Sequence, residues 1–219
     1  MANVILLSIN SSKKNLEIGG NNMLKIGVIL SSVRKERNGL AVANWAVDKS
    51  HEFSDKEKVT FELVDLASYD LPFLGAETSP EQAKEIQRWS EKIDSFDGYI
   101  FITAEYNHGV TGAFKNALDF LKPEFKNKAV AFVGYGGLGA ARSIENLRVI
   151  VAELGLASTQ RNVNLSLMTD FEKMSIFKPA SYVILFYGFK KYIVKLQLQR
   201  KREPYKKNFQ FSLDRSPLF

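Results

Sequence analysis

From Met23 onward, short apolar runs rich in β-branched residues alternate with segments of helical period, and this alternation narrows the available folds more than any other feature of the chain. Residues 25–30, 59–66, 98–103, 129–133 and 158–165 read as strands, each too short for a helix and bounded by turn residues. Between them, residues 38–49 read as a helix, and Ser79-Pro80-Glu81-Gln82 opens a second. In that opening Ser79 caps, Pro80 fits the first helical position and Gln82 completes a capping box. Behind it, Ile86, Trp89 and Ile93 fall on one face, as a helix packing on a sheet requires. Residues 111–121 place Phe114, Ala117, Leu118 and Leu121 on one face, and residues 138–154 do the same with Ala140, Ile144, Leu147, Val151 and Leu154. Strands alternating with helices imply right-handed crossovers and a parallel sheet covered on both faces. The fold class is therefore α/β, a doubly wound five-stranded parallel sheet in three α/β/α layers.

In such sheets ligands sit beyond the C-terminal strand ends, where the strand order reverses. That rule selects three loops of unusual composition. Residues 31–39, SSVRKERNG, join a buried strand to a helix start. Helix N-terminal N–H groups, the hydroxyls of Ser31 and Ser32, and the guanidinium groups of Arg34 and Arg37 make up an anion site of the kind phosphate prefers. Serine and asparagine at a helix start also serve as plain caps, so this composition alone leaves both readings open. The phosphate-loop pattern G-x-x-x-x-G-K-[ST] is absent. Residues 104–112, AEYNHGVTG, offer an aromatic face at Tyr106 and a donor–acceptor amide at Asn107, which suit a planar heterocycle; an ordinary polar loop has the same look. His108 has no G-x-S-x-G nucleophile to serve, which argues against a catalytic triad. Residues 134–139 contain Gly134, Gly136 and Gly139 in the spacing of a dinucleotide fingerprint, yet no acid stands about 20 residues further on. A glycine turn that lets backbone approach a flat ring needs no such acid.

Composition removes other chemistries. The chain has no cysteine and two histidines, His51 and His108, which excludes thiolate metal sites, disulfides and a histidine-rich metal centre. The absence of cysteine and of a secretory signal fits a cytoplasmic protein. The net charge of +6 is unevenly spread. Residues 181–219 carry nine basic and two acidic side chains, whereas residues 23–180 carry nineteen basic and twenty-one acidic ones. The body is thus slightly acidic, and a nucleic-acid partner is not expected.

Together the three loops resemble the NADPH-dependent FMN reductase family, the flavodoxin-like flavoproteins that include quinone- and azo-reductases. The family's first loop is similar to G-S-x-R-x-x-R-N-G, here SSVRKERNG with Ser31 in place of the glycine. Its second is similar to P-E-Y-N-x-x-x-P-G-x-L-K-N-A-[IL]-D, here AEYNHGVTGAFKNALD; Ala104 and Thr111 stand where the family has prolines. The third is a G-x-G-G-x-G turn at residues 134–139. The resemblance spans about residues 23–177. It implies an FMN cofactor with Ser32, Arg34, Asn38 and Gly39 bordering the phosphate and Arg37 nearby. It implies Glu105, Tyr106 and Asn107 along the ribityl chain and isoalloxazine, and Gly134, Tyr135, Gly136 and Gly137 on the other side of the ring. It implies an oxidoreductase that takes electrons from NADPH or NADH and passes them to a quinone, azo compound, metal ion or flavin. The cofactor carries the chemistry, so no acid–base catalytic residue is named. Dimers or tetramers are expected.

Both ends depart from the family pattern. Residues 1–22 read as an N-terminal extension and residues 23–180 as the FMN-binding domain. Where the family continues with a final amphipathic helix, residues 181–219 read as a basic tail of aberrant origin. Their mixture of basic and apolar residues would also suit contact with a membrane surface. Two alternatives follow: a flavin binder impaired by its altered C-terminus, or a non-enzymatic membrane-surface binder.

Overall fold

The computed structural model describes residues 23–57 and 59–179. The expected extension and tail, and the stretch where the family's final helix would fall, lie outside the described residues. Strands β1 (Leu24–Leu30), β2 (Val59–Asp65), β3 (Gly98–Ala104) and β4 (Ala129–Gly136) pair in parallel in the order β2-β1-β3-β4. A fifth position beside β4 completes the flavodoxin-like order. It holds two short pieces, β5 (Ala157–Ser158) and β6 (Val163–Ser166), where the sequence suggests one strand.

The interruption has a visible cause. Arg148 donates through Nη1 to the Thr159 carbonyl at 2.7 Å, and through Nη2 to the Gln160 carbonyl at 3.1 Å and Asn162 Oδ1 at 2.9 Å. The guanidinium thus takes two backbone carbonyls, of Thr159 and Gln160, in the gap between the two pieces.

Helices α1 (Gly39–Glu57), α2 (Pro80–Asp94), α3 (Gly112–Asp119) and α4 (Ala141–Glu153) flank the sheet. The period of two along each strand sorts side chains into two cores. Ile26, Val28, Leu30, Ile100, Ile102, Ala131 and Val133 face α1, where Ala43 and Ala46 let the helix approach closely. Ile29, Tyr99, Phe101, Val130 and Phe132 face α2, α3 and α4 and meet Trp89, Phe114 and Leu147. Phe101 stands edge-on to Phe114, centroids 5.0 Å apart. The capping box at Ser79 and Gln82 forms as the sequence suggests.

Three boundaries differ from the sequence reading. Helix α1 runs past residue 49, since no glycine or proline stops it before Glu57. Strand β4 extends through Gly136 because β3 and β6 both pair with its end, so Gly134, Tyr135 and Gly136 are strand residues. Helix α4 starts at Ala141, after a turn in which Gly139 and Ala140 are left-handed (φ 60° and 56°). A hairpin of β7 (Phe171–Glu172) and β8 (Ile176–Phe177) escapes sequence reading altogether. Its turn residues Lys173 and Met174 both have positive φ without being glycine or asparagine, so they give no turn signal. Phe177 packs edge-on against Trp45 of α1.

Candidate functional site

The three selected loops meet at the C-terminal edge of β1, β3 and β4, and hydrogen bonds tie them to one another. The Ser31 amide donates to the Ile102 carbonyl at 3.1 Å, prolonging the sheet by one residue. The Thr111 hydroxyl donates to the Ser31 carbonyl at 3.2 Å, so the residue in a family proline's place links the first loop to the second. Ser32 Oγ and Tyr106 Oη lie 3.2 Å apart.

Within the first loop the polar groups divide into engaged and open. Ser31 Oγ is buried and has no hydrogen-bond partner among the described residues. Arg34 is exposed, its guanidinium carbon 5.9 Å from the centroid of the Tyr106 ring. Arg37 turns away: its Nη2 pairs with Asp65 at the end of β2, and its Nη1 donates to the Arg34 carbonyl at 3.2 Å. The Asn38 amide donates to the Met174 carbonyl of the β7–β8 hairpin at 2.8 Å. Gly39 is required by its surroundings, since a Cβ there would lie 2.4 Å from Tyr135 Oη.

The second loop is a tight turn. The Tyr106 amide donates to the Gly109 carbonyl at 3.1 Å and the Gly109 amide returns to the Tyr106 carbonyl at 3.0 Å. Asn107 and His108 between them are both left-handed, φ 50° and 66°. Asparagine and histidine are among the residues that tolerate this region best. Tyr106, Asn107 and His108 are exposed. Glu105 is directed inward, toward Arg142 of α4. Burial pushes its carboxyl up, but the side-chain hydrogen bond from Arg142 and the Ser143 and Arg142 amides outweigh this and hold it below its ordinary value of 4.5.

The third loop is clamped from β6. Ser166 Oγ donates to the Gly137 carbonyl at 3.1 Å, and Asn164 Nδ2 to the Gly139 carbonyl at 2.7 Å. A Cβ at Gly134 would lie 2.5 Å from the Gly139 carbonyl oxygen, and one at Gly137 would meet nothing within 4 Å. Gly137 therefore presents open space to the loop edge. Tyr135 shares the strand face of Ala131 and Val133, so its ring is buried. Burial pushes its phenol up to about 12, against a small opposite pull from the Ser32 hydrogen bond. A separate recess of about 350 Å³ opens between Val33 of the first loop and Gly112 of α3, with Leu66, Tyr69, Phe73 and Asn116 around it.

The structure thus brings Ser32, Arg34, Tyr106, Asn107, Gly136 and Gly137 to one edge. It turns the side chains of Arg37, Asn38, Glu105 and Tyr135 toward protein partners. Sequence reasoning missed Asp65, Thr111, Arg142 and Asn164, each of which orders one of these loops. Only Thr111 carried a signal, as a departure from the family's proline.

Residues 24–170 match the NADPH-dependent FMN reductase family. The chain belongs to that family. It is 39% identical over 131 residues to an NAD(P)H-dependent FMN reductase of Nectria sp., covering 55% of this chain and 64% of that one. It is 31% identical over 161 residues to an NAD(P)H-dependent FMN reductase of Schizosaccharomyces pombe, covering 71% and 80%. Among solved structures it is similar to the flavoenzyme NAD(P)H:(acceptor) oxidoreductase FerB of Paracoccus denitrificans, with a TM-score of 0.57 at 18% identity, covering 82% and 98%. At that identity the likeness supports the fold. As a member of the FMN reductase family the chain keeps the E-Y-N core of the second loop at Glu105, Tyr106 and Asn107. No helix among the described residues is long and apolar enough to cross a membrane.

Proposed function

We propose that this member of the FMN reductase family is an FMN-dependent NAD(P)H oxidoreductase that reduces a small-molecule acceptor of the quinone, azo, metal-ion or flavin class. The observation that carries the reading is the convergence of three polar loops on one sheet edge with their ligand-type atoms still open. Arg34 is exposed beside Tyr106, Tyr106 and Asn107 are themselves exposed, and a Cβ at Gly137 would meet nothing within 4 Å among the described residues. These features fit FMN. A guanidinium suits a phosphate, an exposed tyrosine ring suits the isoalloxazine, and a side-chain-free backbone lets a ring approach closely.

In this reading Ser32, Arg34 and the backbone of Asn38 and Gly39 hold the phosphate, with Arg37 bracing the loop through the Arg34 carbonyl. Tyr106 and Asn107 border the ring on one side. The backbone of Gly134, Tyr135, Gly136 and Gly137 lies on the other. What FMN supplies when bound is hydride acceptance from a nicotinamide and electron delivery to an acceptor. The protein's part is to bind, to orient and to keep the loops rigid. Residues 23–180 are the FMN-binding domain, the protein acts in the cytoplasm, and the assembly is a homodimer or tetramer.

The test is direct. Protein purified from cells should be yellow, or should turn yellow on adding FMN, and should then consume NADPH or NADH. A colourless protein that neither quenches FMN fluorescence nor oxidises either nucleotide overturns the proposal.

A further inference from the structure

The carboxylate of Glu105 has no acceptor capacity left for a ligand. Oε1 accepts from Arg142 Nε at 2.6 Å and pairs with Arg142 Nη2. Oε2 accepts from the Arg142 amide at 3.1 Å and the Ser143 amide at 3.4 Å. These four contacts match the four lone-pair positions a carboxylate offers, and the Glu105 side chain is only 7% exposed.

Helix α4 needs such a partner. The first N–H groups of a helix have no acceptor within it. The capping position of α4 holds Ala140, whose side chain can accept nothing. Glu105, arriving from another loop, takes that role and adds a negative charge at the positive end of the helix dipole.

The contact continues outward. Arg142 Nη1 lies 2.7 Å from His108 Nε2, and Asn146 Nδ2 reaches the His108 carbonyl at 3.4 Å and the Arg142 carbonyl at 2.8 Å. His108 is the second of two consecutive left-handed residues. A non-glycine pair in that region persists only where its surroundings impose it, and here α4 does so through Arg142 and Asn146.

We infer that Glu105 is a positioning residue, not a flavin ligand: with Arg142 it forms a latch between α4 and the Asn107–His108 turn, and that latch sets Tyr106 and Asn107 against the glycine-rich third loop. Its consequence for the cofactor rests on the FMN reading; the latch itself does not. Second and third loops are already close enough for this, since a Cβ at Gly136 would lie 3.7 Å from Glu105 Cβ.

The test uses the full chain with Glu105→Gln, Arg142→Met and the double variant. Hydrogen exchange in the apoprotein reads the latch without cofactor, at the Tyr106 and Gly109 amides that bond across the turn. Each single variant should speed that exchange and weaken FMN binding by about tenfold, the scale of a charge-assisted hydrogen bond. The double variant should lose no more than about twofold beyond Arg142→Met, because coupled partners are non-additive. The midpoint potential of FMN bound to Glu105→Gln should rise, since Arg142 is then an uncompensated cation at the rim, and the double variant should reverse the rise. Losses in FMN affinity that multiply, with exchange unchanged, would mean that Glu105 touches the flavin itself and would overturn the inference. Faster exchange in the variants than in wild type, in a protein whose wild type binds no FMN, would support the latch while the FMN reading fails. If Glu105→Gln does not fold, Arg142→Lys keeps the charge but loses the planar fork; unchanged exchange at Tyr106 and Gly109 in that variant overturns the latch equally.

Discussion

Two arginines of the first loop stand three residues apart and should behave in opposite ways when removed. Arg34 is exposed and its guanidinium lies over the face of Tyr106, 5.9 Å from the ring centroid. Arg37 is 13% exposed in its side chain and paired with Asp65, itself 29% exposed. If Arg34 holds the phosphate as proposed, replacing it by Ala should cost about 1.5–3 kcal/mol of binding, which is roughly 10- to 150-fold in the Kd for FMN. In the apoprotein the same change removes an exposed cation–π contact of about 0.5–1 kcal/mol, so folding stability should scarcely move. Replacing Arg37 by Ala removes the ion pair on Asp65 Oδ2, leaving that carboxylate the Ala67 amide on Oδ1, and takes its donor from the Arg34 carbonyl. The pair lies between the exposed and buried limits, so the cost to stability should be about 1–3 kcal/mol. Its effect on FMN affinity should be the smaller of the two. Fluorescence-quenching titration of the apoproteins with FMN, together with urea unfolding, measures both quantities. Wild-type FMN affinity in Arg34→Ala, or a larger affinity loss in Arg37→Ala than in Arg34→Ala, would refute this division of labour.

Other outcomes follow from the same geometry. Gly139→Ala should destabilise the fold by about 2–4 kcal/mol, combining a left-handed backbone penalty with overpacking, because its Cβ would lie 2.6 Å from Asn164 Cβ at φ 60°; a urea midpoint equal to wild type would contradict this. Glu105 is held below its ordinary value of 4.5 in the folded chain, so its contribution is fully present above 4.5 and is lost as pH falls through the depressed value. Glu105→Gln should therefore show a shallower acid limb in stability against pH, and superimposable limbs would argue against that linkage. If donor and acceptor use one flavin site in turn, steady-state kinetics with NAD(P)H and a quinone should give parallel double-reciprocal lines; intersecting lines count against a shared site.

How far the sequence carries the fold depends on how local each determinant is. The strands and helices of the doubly wound sheet were legible because each carries its own period, and the α2 start was legible because Ser79, Pro80 and Gln82 lie within four residues. The fifth strand was legible as one strand but its split was not, because Arg148 reaches it from another element, and nothing in residues 158–165 announces that guanidinium. The β7–β8 hairpin was hidden for a related reason. Its left-handed turn is imposed by packing of Phe171 and Phe177 on the α1-side core, against the preference of Lys173 and Met174. Tyr135 is the instructive case. Its parity with Ala129, Ala131 and Val133 already implied a buried ring, and reading residues 134–139 as a loop obscured it.

The candidate site was legible as a set of loops and not as a set of atoms. Composition says that residues 31–39 and 104–112 hold hydroxyls, guanidinium groups, two amides and two carboxylates. It does not say which of them the protein has already engaged. Arg37 meets Asp65, Asn38 meets Met174 and Glu105 meets Arg142 across separations of 28, 136 and 37 residues. None of these pairings leaves a periodic trace. Once they are removed, the exposed groups of the three loops that face a ligand are few: the Arg34 guanidinium, the outward edges of Tyr106 and Asn107, and the bare backbone at Gly137. That residue set is more selective than the motif. It divides the motif's polar positions into those that hold the loops in place and those that face what the loops hold, and substitutions in the first group should register in stability and exchange before they register in binding.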